Sequence, residues 1–329
     1  MPEEFQSESK YVAANGINHH YLEWGDPETP PIVMLHGLGL CAQVWNKLAR
    51  GLAQDYHVLS FDLRGHGDTD KPGSGYTFQK LGEDVSAIIQ KMGLERSFAV
   101  GHSAGGMALL ISDHLVPGIV GPTVLVDTRV GAAATTTLTS ERRQERMRRT
   151  REKRPIWANR EAMHESYRGR RVFKTWDDEV FNDYIEGGTR LLDDGRAELK
   201  CPTDVEAIFY DARAALDPTQ YVSRLAGQYL LLVGGYEGAQ SEQDGAVQRL
   251  LDESQGSTFK QLDRGSHFVP MEYPDLVLSE IREYFEEPRW DSLCRRGLGS
   301  KWRTFASAWP GIVVSAPSLT PRLGPASSQ

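Results

Sequence analysis

This 329-residue chain has few cysteines, no long apolar run and no excess of positive charge. Its three cysteines, Cys41, Cys201 and Cys294, are odd in number and widely spaced. That spacing excludes a disulfide framework and a cysteine-based metal site, and it fits a reducing compartment. No apolar run approaches membrane-spanning length, and residues 1–5 lack the basic and apolar regions of a signal peptide. We therefore expect a cytoplasmic protein.

The charge balance narrows the classes of partner. A formal net charge of -8 and a pI of about 5.7 argue against a nucleic-acid-binding or membrane-surface protein, because such proteins are usually basic. The composition, 40% hydrophobic and 25% charged, is ordinary for a chain that buries a large core. We expect no cofactor or metal, and no nucleic-acid or membrane partner. The sequence does not indicate an oligomeric state.

Short apolar runs alternate with amphipathic helical stretches in the first 128 residues and again after residue 220. This alternation predicts an α/β fold with a mostly parallel sheet and helices on both faces. Helices are predicted at 42–52, 78–92 and about 274–285. The predicted strands are 10–13, 20–23, 32–35, 58–61, 98–100, 124–126, 229–233 and 258–261.

Residues 129–220 lack strand signals and are charged and helical, with predicted helices at 140–154, 178–192 and 205–216. We interpret this stretch as a helical cap inserted into a core that residues 1–128 and 221–288 form. Residues 289–329 are rich in Ser, Pro, Gly and Arg and are predicted to form a weakly ordered tail. The tail also contains Trp290, Trp302 and Trp309, so docking onto the core or a partner stays open.

A basic run lies within the predicted cap. Residues 141–154 contain seven arginines and one lysine against three glutamates. Interleaved charges on a helix usually form a solvated face. The alternative is a basic lip that attracts an anionic substrate, such as a carboxylate or a pantetheine phosphate.

The pentapeptide Gly101-His102-Ser103-Ala104-Gly105 carries the strongest functional signal. A G-x-S-x-G pattern between a buried strand and a helix predicts a nucleophile elbow, a sharp turn that exposes a serine hydroxyl. Its glycines let neighbouring backbone pass close to the turn. The helix that follows directs N–H groups and a partial positive charge toward an oxyanion. The pattern predicts a serine hydrolase with Ser103 as nucleophile.

A serine hydroxyl is a poor nucleophile at neutral pH and needs a base, usually histidine, that a third group orients. Of the nine histidines, His267 fits best because it lies in a Gly-bearing loop between the last strand and the last helix. For the acid we favour Glu237, which follows the strand that resumes the sheet after the cap. Asp127, at the end of strand 124–126, stays open as the alternative because aspartate is the commoner residue in this role.

An oxyanion hole needs two backbone N–H groups, one after the nucleophile and one from an early strand-end loop. Ala104 is predicted to supply the first. The second is predicted to come from Leu38, because Gly37 and Gly39 allow a tight turn after an apolar strand. Cys41 follows this loop and is expected to be a small buried residue.

In these motifs and in their order, residues 9–287 resemble the α/β-hydrolases with a His-Gly oxyanion loop. The resemblance rests on Asn15-Gly16-Ile17, Trp24-Gly25, His36-Gly37, the turn Asp62-Leu63-Arg64-Gly65-His66-Gly67, the serine elbow, and His267 with Pro270-Met271-Glu272. It implies a structural role for Asp62 and Arg64. The family also contains dehalogenases and epoxide hydrolases with an aspartate nucleophile, a mechanism that Ser103 excludes here.

These observations predict hydrolysis of an ester-like bond of a small-molecule substrate, in a carboxylester, lactone or thioester, through an acyl-enzyme. The same fold and triad also serve a cofactor-free lyase, a hydrolase of carbon–carbon bonds, or a ligand receptor that hydrolyses slowly. The substrate is not readable from the sequence.

Overall fold

The computed structural model describes residues 6–131 and 140–287, and an eight-stranded sheet lies at its centre. Each predicted strand is present within three residues of its expected ends. The strands of the chain are β1 (Glu8–Ala14), β2 (Ile17–Trp24), β3 (Pro31–Leu35), β4 (His57–Phe61), β5 (Phe98–His102), β6 (Thr123–Val126), β7 (Ile156–Trp157), β8 (Thr189–Leu191), β9 (Ala197–Leu199), β10 (Tyr229–Val233) and β11 (Thr258–Gln261).

The order of strands in the large sheet is β1-β2-β4-β3-β5-β6-β10-β11. The pairs β1/β2 and β2/β4 are antiparallel, and all the other pairs are parallel. The carboxyl ends of the parallel strands therefore meet at one edge, where the elbow after β5 lies.

The structure describes ten α-helices, some on the two faces of this sheet and others in the part of the chain between β6 and β10. They are α1 (Asn46–Leu52), which follows a 3₁₀ turn at Ala42–Trp45, α2 (Phe78–Met92), α3 (Ala104–Leu115), α4 (Ser140–Arg151), α5 (Arg160–Arg168), α6 (Asp178–Gly187), α7 (Thr203–Ala215), α8 (Gly245–Glu253), α9 (Val269–Glu272) and α10 (Pro274–Phe285). Local chemistry sets the ends of α2: the Thr77 side chain accepts a hydrogen bond from the Lys80 amide, and Gly93 ends the helix at φ 69°. None of the described helices is long and apolar enough to cross a membrane.

The core forms because the central strands are buried on both faces. Every residue of β3 is buried, and its side chains alternate between two apolar clusters. Ile32 and Met34 pack with residues of α1 and α10, whereas Val33 and Leu35 pack with α2 and α3. Burial of each such side chain contributes about 1.5–3 kcal/mol.

Residues 140–221, which we call the inserted segment, contain more than the predicted helices. The short strands β7, β9 and β8 form a small antiparallel sheet. The prediction of a helix over 178–192 is therefore wrong at its end: α6 stops at Gly187, and Thr189–Leu191 pairs with Ala197–Leu199. The tight turn at Gly195, φ 83°, brings these two strands together. The predicted tail, 289–329, lies outside the described residues.

Candidate active site

Ser103 occupies the sharp turn between β5 and α3. Its backbone has φ 53° and ψ -109°, a conformation that residues with a Cβ rarely adopt. The turn is held in place because β5 is fully buried and α3 begins at Ala104. As a result the Ser103 side chain faces a cavity instead of the core.

The glycines of the elbow are explained by close backbone contacts. A Cβ at Gly105 would lie 2.3 Å from the carbonyl oxygen of Leu35, and one at Gly101 would lie 2.5 Å from the Cα of Gly106. Backbone atoms cannot move aside as a flexible side chain can. Only glycine at these positions lets α3 start so close to β3 and β5.

His267 lies directly against the serine. It follows β11 in the loop before α9, and its Nε2 is 3.0 Å from Ser103 Oγ. The Nε2–H of His102 donates to the His267 carbonyl oxygen at 2.8 Å, so the residue before the serine also holds the histidine loop. Burial first, then the charge of His267, lowers the pKa of His102 to about 3, which keeps this ring neutral. Sequence reasoning missed this role of His102.

Asp127 is the carboxylate that contacts His267. Its Oδ1 lies 2.9 Å from His267 Nδ1 and accepts a hydrogen bond from the Tyr236 hydroxyl at 2.8 Å, and its Oδ2 accepts one from the Gly234 amide at 3.0 Å. Burial alone would raise its pKa, but the hydrogen bond and charge of His267, with the Gly234 and Tyr236 bonds, bring the pKa of Asp127 below its usual value. The side chain is 2% exposed, and three hydrogen-bond partners hold the carboxylate in place.

The structure does not bring Glu237 to the histidine, which corrects the preference for Glu237 over Asp127. Glu237 is exposed in the loop after β10. The sheet order gives the reason, since β6, which Asp127 directly follows, lies next to β5, which Ser103 directly follows. Gly234 and Gly235 leave room for the histidine loop to cross β10 and reach Asp127, because a Cβ at either glycine would lie within 2.7 Å of that loop.

The loop after β3 lies beside the elbow, as the oxyanion prediction requires. A Cβ at Gly37 would lie 2.8 Å from His102 Nδ1 and 3.4 Å from the Cβ of Ser103. The His36 ring fixes this loop, because its Nδ1 bonds the Gly37 carbonyl at 2.7 Å and its Nε2 accepts from the Leu63 amide at 3.1 Å. Leu38 and Ala104 both line the cavity beside Ser103.

The cavity over Ser103 has a volume of about 480 Å³. The core contributes Ser103, His267 and Phe268, and the inserted segment contributes Val172 and residues of α4 and α7. Arg129, Arg146, Tyr210, Arg213 and Tyr236 also line it and were not predicted as site residues. Arg146 alone carried a signal in the sequence, as part of the basic run.

The turn after β4, residues 62–67, stabilises the fold and does not line the cavity, as the sequence predicts. Arg64 and Asp84 form a buried bidentate ion pair with nitrogen–oxygen distances of 2.7 and 2.6 Å. Asp62 accepts from the amides of Ala42 and Asp68 and contacts the His20 ring.

Within residues 6–131 and 140–287, His20, Asp62 and Asp68 form the one group whose donor atoms lie close enough to hold a metal ion. The carboxylate oxygens of Asp62 already accept hydrogen bonds from the amides of Ala42 and Asp68, and the Asp68 side chain forms an ion pair with Lys200.

A family model described as "Alpha/beta hydrolase family" matches residues 32–280. The non-heme chloroperoxidase of Streptomyces lividans is 34% identical over 118 residues, which are 35% of this chain and 42% of that protein. The bifunctional esterase/perhydrolase DCH of Acinetobacter calcoaceticus is 30% identical over 93 residues, 28% of this chain and 34% of that protein. These alignments span less than half the length of either relative.

Among solved structures, E-2-(acetamidomethylene)succinate hydrolase superposes with a TM-score of 0.73 at 18% identity. The superposition covers 85% of this chain and 100% of that chain. At this identity the likeness shows a shared fold and does not carry over a substrate.

Proposed function

The chain belongs to the alpha/beta hydrolase family, and on that premise we propose that it is a serine hydrolase that cleaves an ester-like bond of a small-molecule metabolite. The bond is that of a carboxylester, a lactone or a thioester. The observation that carries the proposal is the continuous hydrogen-bonded series Ser103–His267–Asp127 at the floor of a cavity.

The protonation states follow from this series. Because its pKa is lowered, Asp127 is ionised at neutral pH and only accepts hydrogen bonds. The proton between Asp127 and His267 therefore resides on Nδ1 of the ring, which leaves Nε2 to accept from the Ser103 hydroxyl. In the proposed reaction, Nε2 takes the serine proton while Oγ attacks the substrate carbonyl.

The attack converts the carbonyl oxygen into an oxyanion, which the amides of Leu38 and Ala104 are proposed to bind. Ala104 is the first residue of α3, so the positive end of that helix faces the developing charge. His267 then gives its proton to the leaving alcohol or thiol, and an acyl-Ser103 ester remains. Water, deprotonated by His267, attacks this ester and releases the acid. We propose the inserted segment as the cap that shapes the acyl pocket.

The test of this proposal combines a serine-directed fluorophosphonate probe with a short-chain p-nitrophenyl ester. We expect the probe to label Ser103 and the ester to turn over. Ser103→Ala is expected to lose labelling and at least about 10³-fold in kcat, with an unchanged circular dichroism spectrum. Ser223→Ala, a substitution away from the cavity, is the control. Full activity in Ser103→Ala would refute the assignment of the nucleophile.

Labelling without turnover of any ester would instead favour the alternatives. These are a lyase or carbon–carbon bond hydrolase that uses the same serine, or a ligand receptor with slow hydrolysis.

A further inference from the structure

Three arginines line the cavity over Ser103 without a carboxylate partner. Arg129 follows β6, Arg146 lies on α4 and Arg213 lies on α7. Throughout residues 6–131 and 140–287, none of the three forms an ion pair. Other arginines of α4 do: Arg143 pairs with Asp211, and Arg148 pairs with Glu145 and Glu152. These three arginines therefore bring positive charge to the cavity, and no described acidic side chain pairs with them.

The described contacts of these arginines are to neutral groups. Arg129 Nη2 donates to the Gly238 carbonyl at 2.8 Å and to the Tyr236 hydroxyl at 3.3 Å. Arg146 lies over the Tyr210 ring at 4.1 Å. Arg213 Nη2 donates to the Arg129 carbonyl at 3.4 Å, and its Nη1 is buried without a hydrogen-bond partner among the described residues.

A buried guanidinium beside two others is costly without a counter-charge. Burial first, then the charges of Arg129 and Arg146, lowers the pKa of Arg213 to about 10, so the group still carries its charge at neutral pH. A planar carboxylate matches the fork of a guanidinium and accepts two parallel hydrogen bonds from it.

We propose that the substrate bears a carboxylate that Arg213 binds with the help of Arg129 and Arg146, while its ester-like carbonyl lies at Ser103. This inference rests on the proposed hydrolase function and names the substrate class. A cavity of about 480 Å³ suits a compact acid. The substrate is then a carboxylester, lactone or thioester that carries a free carboxylate, such as the half-ester of a dicarboxylic acid.

The test compares esters that differ only in the charge of the distal group. Monoethyl succinate, glutarate and adipate carry the carboxylate, and the corresponding primary amides are neutral isosteres. We expect kcat/KM to favour the acid over its amide by about 10- to 100-fold for the chain length that fits. Arg213→Gln is expected to reduce this preference to within about threefold, because kcat/KM for the acid falls.

Matched variants separate charge recognition from folding. Arg213→Lys keeps the positive charge but lacks the parallel N–H donors of a guanidinium, so we expect an intermediate preference for the acid over its amide. Arg146→Gln alters an exposed residue and should lower the preference even if Arg213→Gln folds poorly. Arg148→Gln removes the same charge from the same helix outside the cavity, and the preference should stay as in the wild type.

A second measurement does not depend on turnover. Free succinate, glutarate or adipate should slow fluorophosphonate labelling of Ser103, whereas the diamides should not. Equal protection by acids and diamides, absence of protection by any of the acids at millimolar concentration, or equal kcat/KM for acid and amide esters would overturn the inference. If Ser103 is not labelled and no ester is hydrolysed, the proposed function itself fails.

Discussion

At the scale of single residues, the site depends on how Asp127 is held. Asp127 has φ 44°, an unusual value for a residue with a side chain, and its amide donates to the Leu232 carbonyl at 2.8 Å. That bond continues the pairing of β6 with β10 and fixes the carboxylate. Tyr236 adds a donor whose pKa is raised to about 12, by burial first and then by Asp127, so the hydroxyl keeps its proton.

The first prediction concerns the two acids. Asp127→Asn should lower kcat by about 10³- to 10⁴-fold, because an asparagine amide that donates toward His267 favours the wrong tautomer of the ring. Glu237→Gln should change kcat by less than about twofold, since its side chain is exposed and forms no part of the series. Steady-state kinetics on one ester decide between them. A large loss in Glu237→Gln with little loss in Asp127→Asn would reverse the assignment.

At the scale of secondary-structure elements, helix α6 of the inserted segment packs against α1 and the turn before it, and this contact buries an acidic side chain. Asp183 Oδ2 on α6 is buried and has no hydrogen-bond partner among the described residues. Burial raises the pKa of Asp183 to about 6, despite the opposing effects of Asn46 and Arg50.

The sign of the resulting pH dependence follows from linkage. An aspartate in the unfolded chain has a pKa near its usual value of about 3.9, so between that pH and about 6 the folded state binds more protons than the unfolded state. This group therefore makes the fold less stable as the pH rises through that window.

Asp183→Asn should remove this effect. We expect its melting temperature to exceed that of the wild type by about 3 °C or more at pH 7, and by less at pH 4. Glu165→Gln removes a carboxylate at an exposed position of the neighbouring helix α5, and its melting temperature relative to the wild type should be the same at pH 7 and pH 4. Thermal denaturation at both pH values checks this, and an equal or lower melting temperature of Asp183→Asn at pH 7 would contradict it.

At the scale of the whole molecule, the inserted segment shares one apolar cluster with the sheet domain. Trp45 and Leu48 of the core belong to the same cluster as Trp176, Phe181 and Tyr184 of the inserted segment. Three ion pairs also cross this boundary, Lys47 with Asp177, Arg50 with Glu179 and Lys200 with Asp68, but their side chains are partly exposed. Apolar burial therefore dominates the attachment, and we expect both parts to unfold together.

Two substitutions at this boundary test the expectation. Phe181→Ala should lower the free energy of unfolding by about 3–5 kcal/mol, because its ring is fully buried. Lys47→Met should change it by less than about 1 kcal/mol, as is usual for partly exposed ion pairs. Urea unfolding followed by circular dichroism and by loss of activity should give coincident transitions. Two separate transitions, with only one shifted in Phe181→Ala, would show that the parts unfold independently.

The sequence alone determined the eight strands, helices α2 and α10, and the elbow at Ser103. Each of these depends on local physics. Apolar periodicity sets which runs are buried, Thr77 and Gly93 set the ends of α2, and the elbow glycines allow a turn that other residues would block. His267 was also identified, because it lies in a Gly-bearing loop between the last predicted strand and the last predicted helix.

Only the tertiary structure decided which acid faces His267, that a small sheet lies beside the helices of the inserted segment, and that three arginines share the cavity. These facts depend on which distant segments become neighbours. Asp127 and Glu237 both follow strands, and the order β5-β6-β10-β11 distinguishes them. Arg146 and Arg148 lie two residues apart in the same basic run, and only the tertiary structure shows that Arg148 is paired with carboxylates while Arg146 lines the cavity.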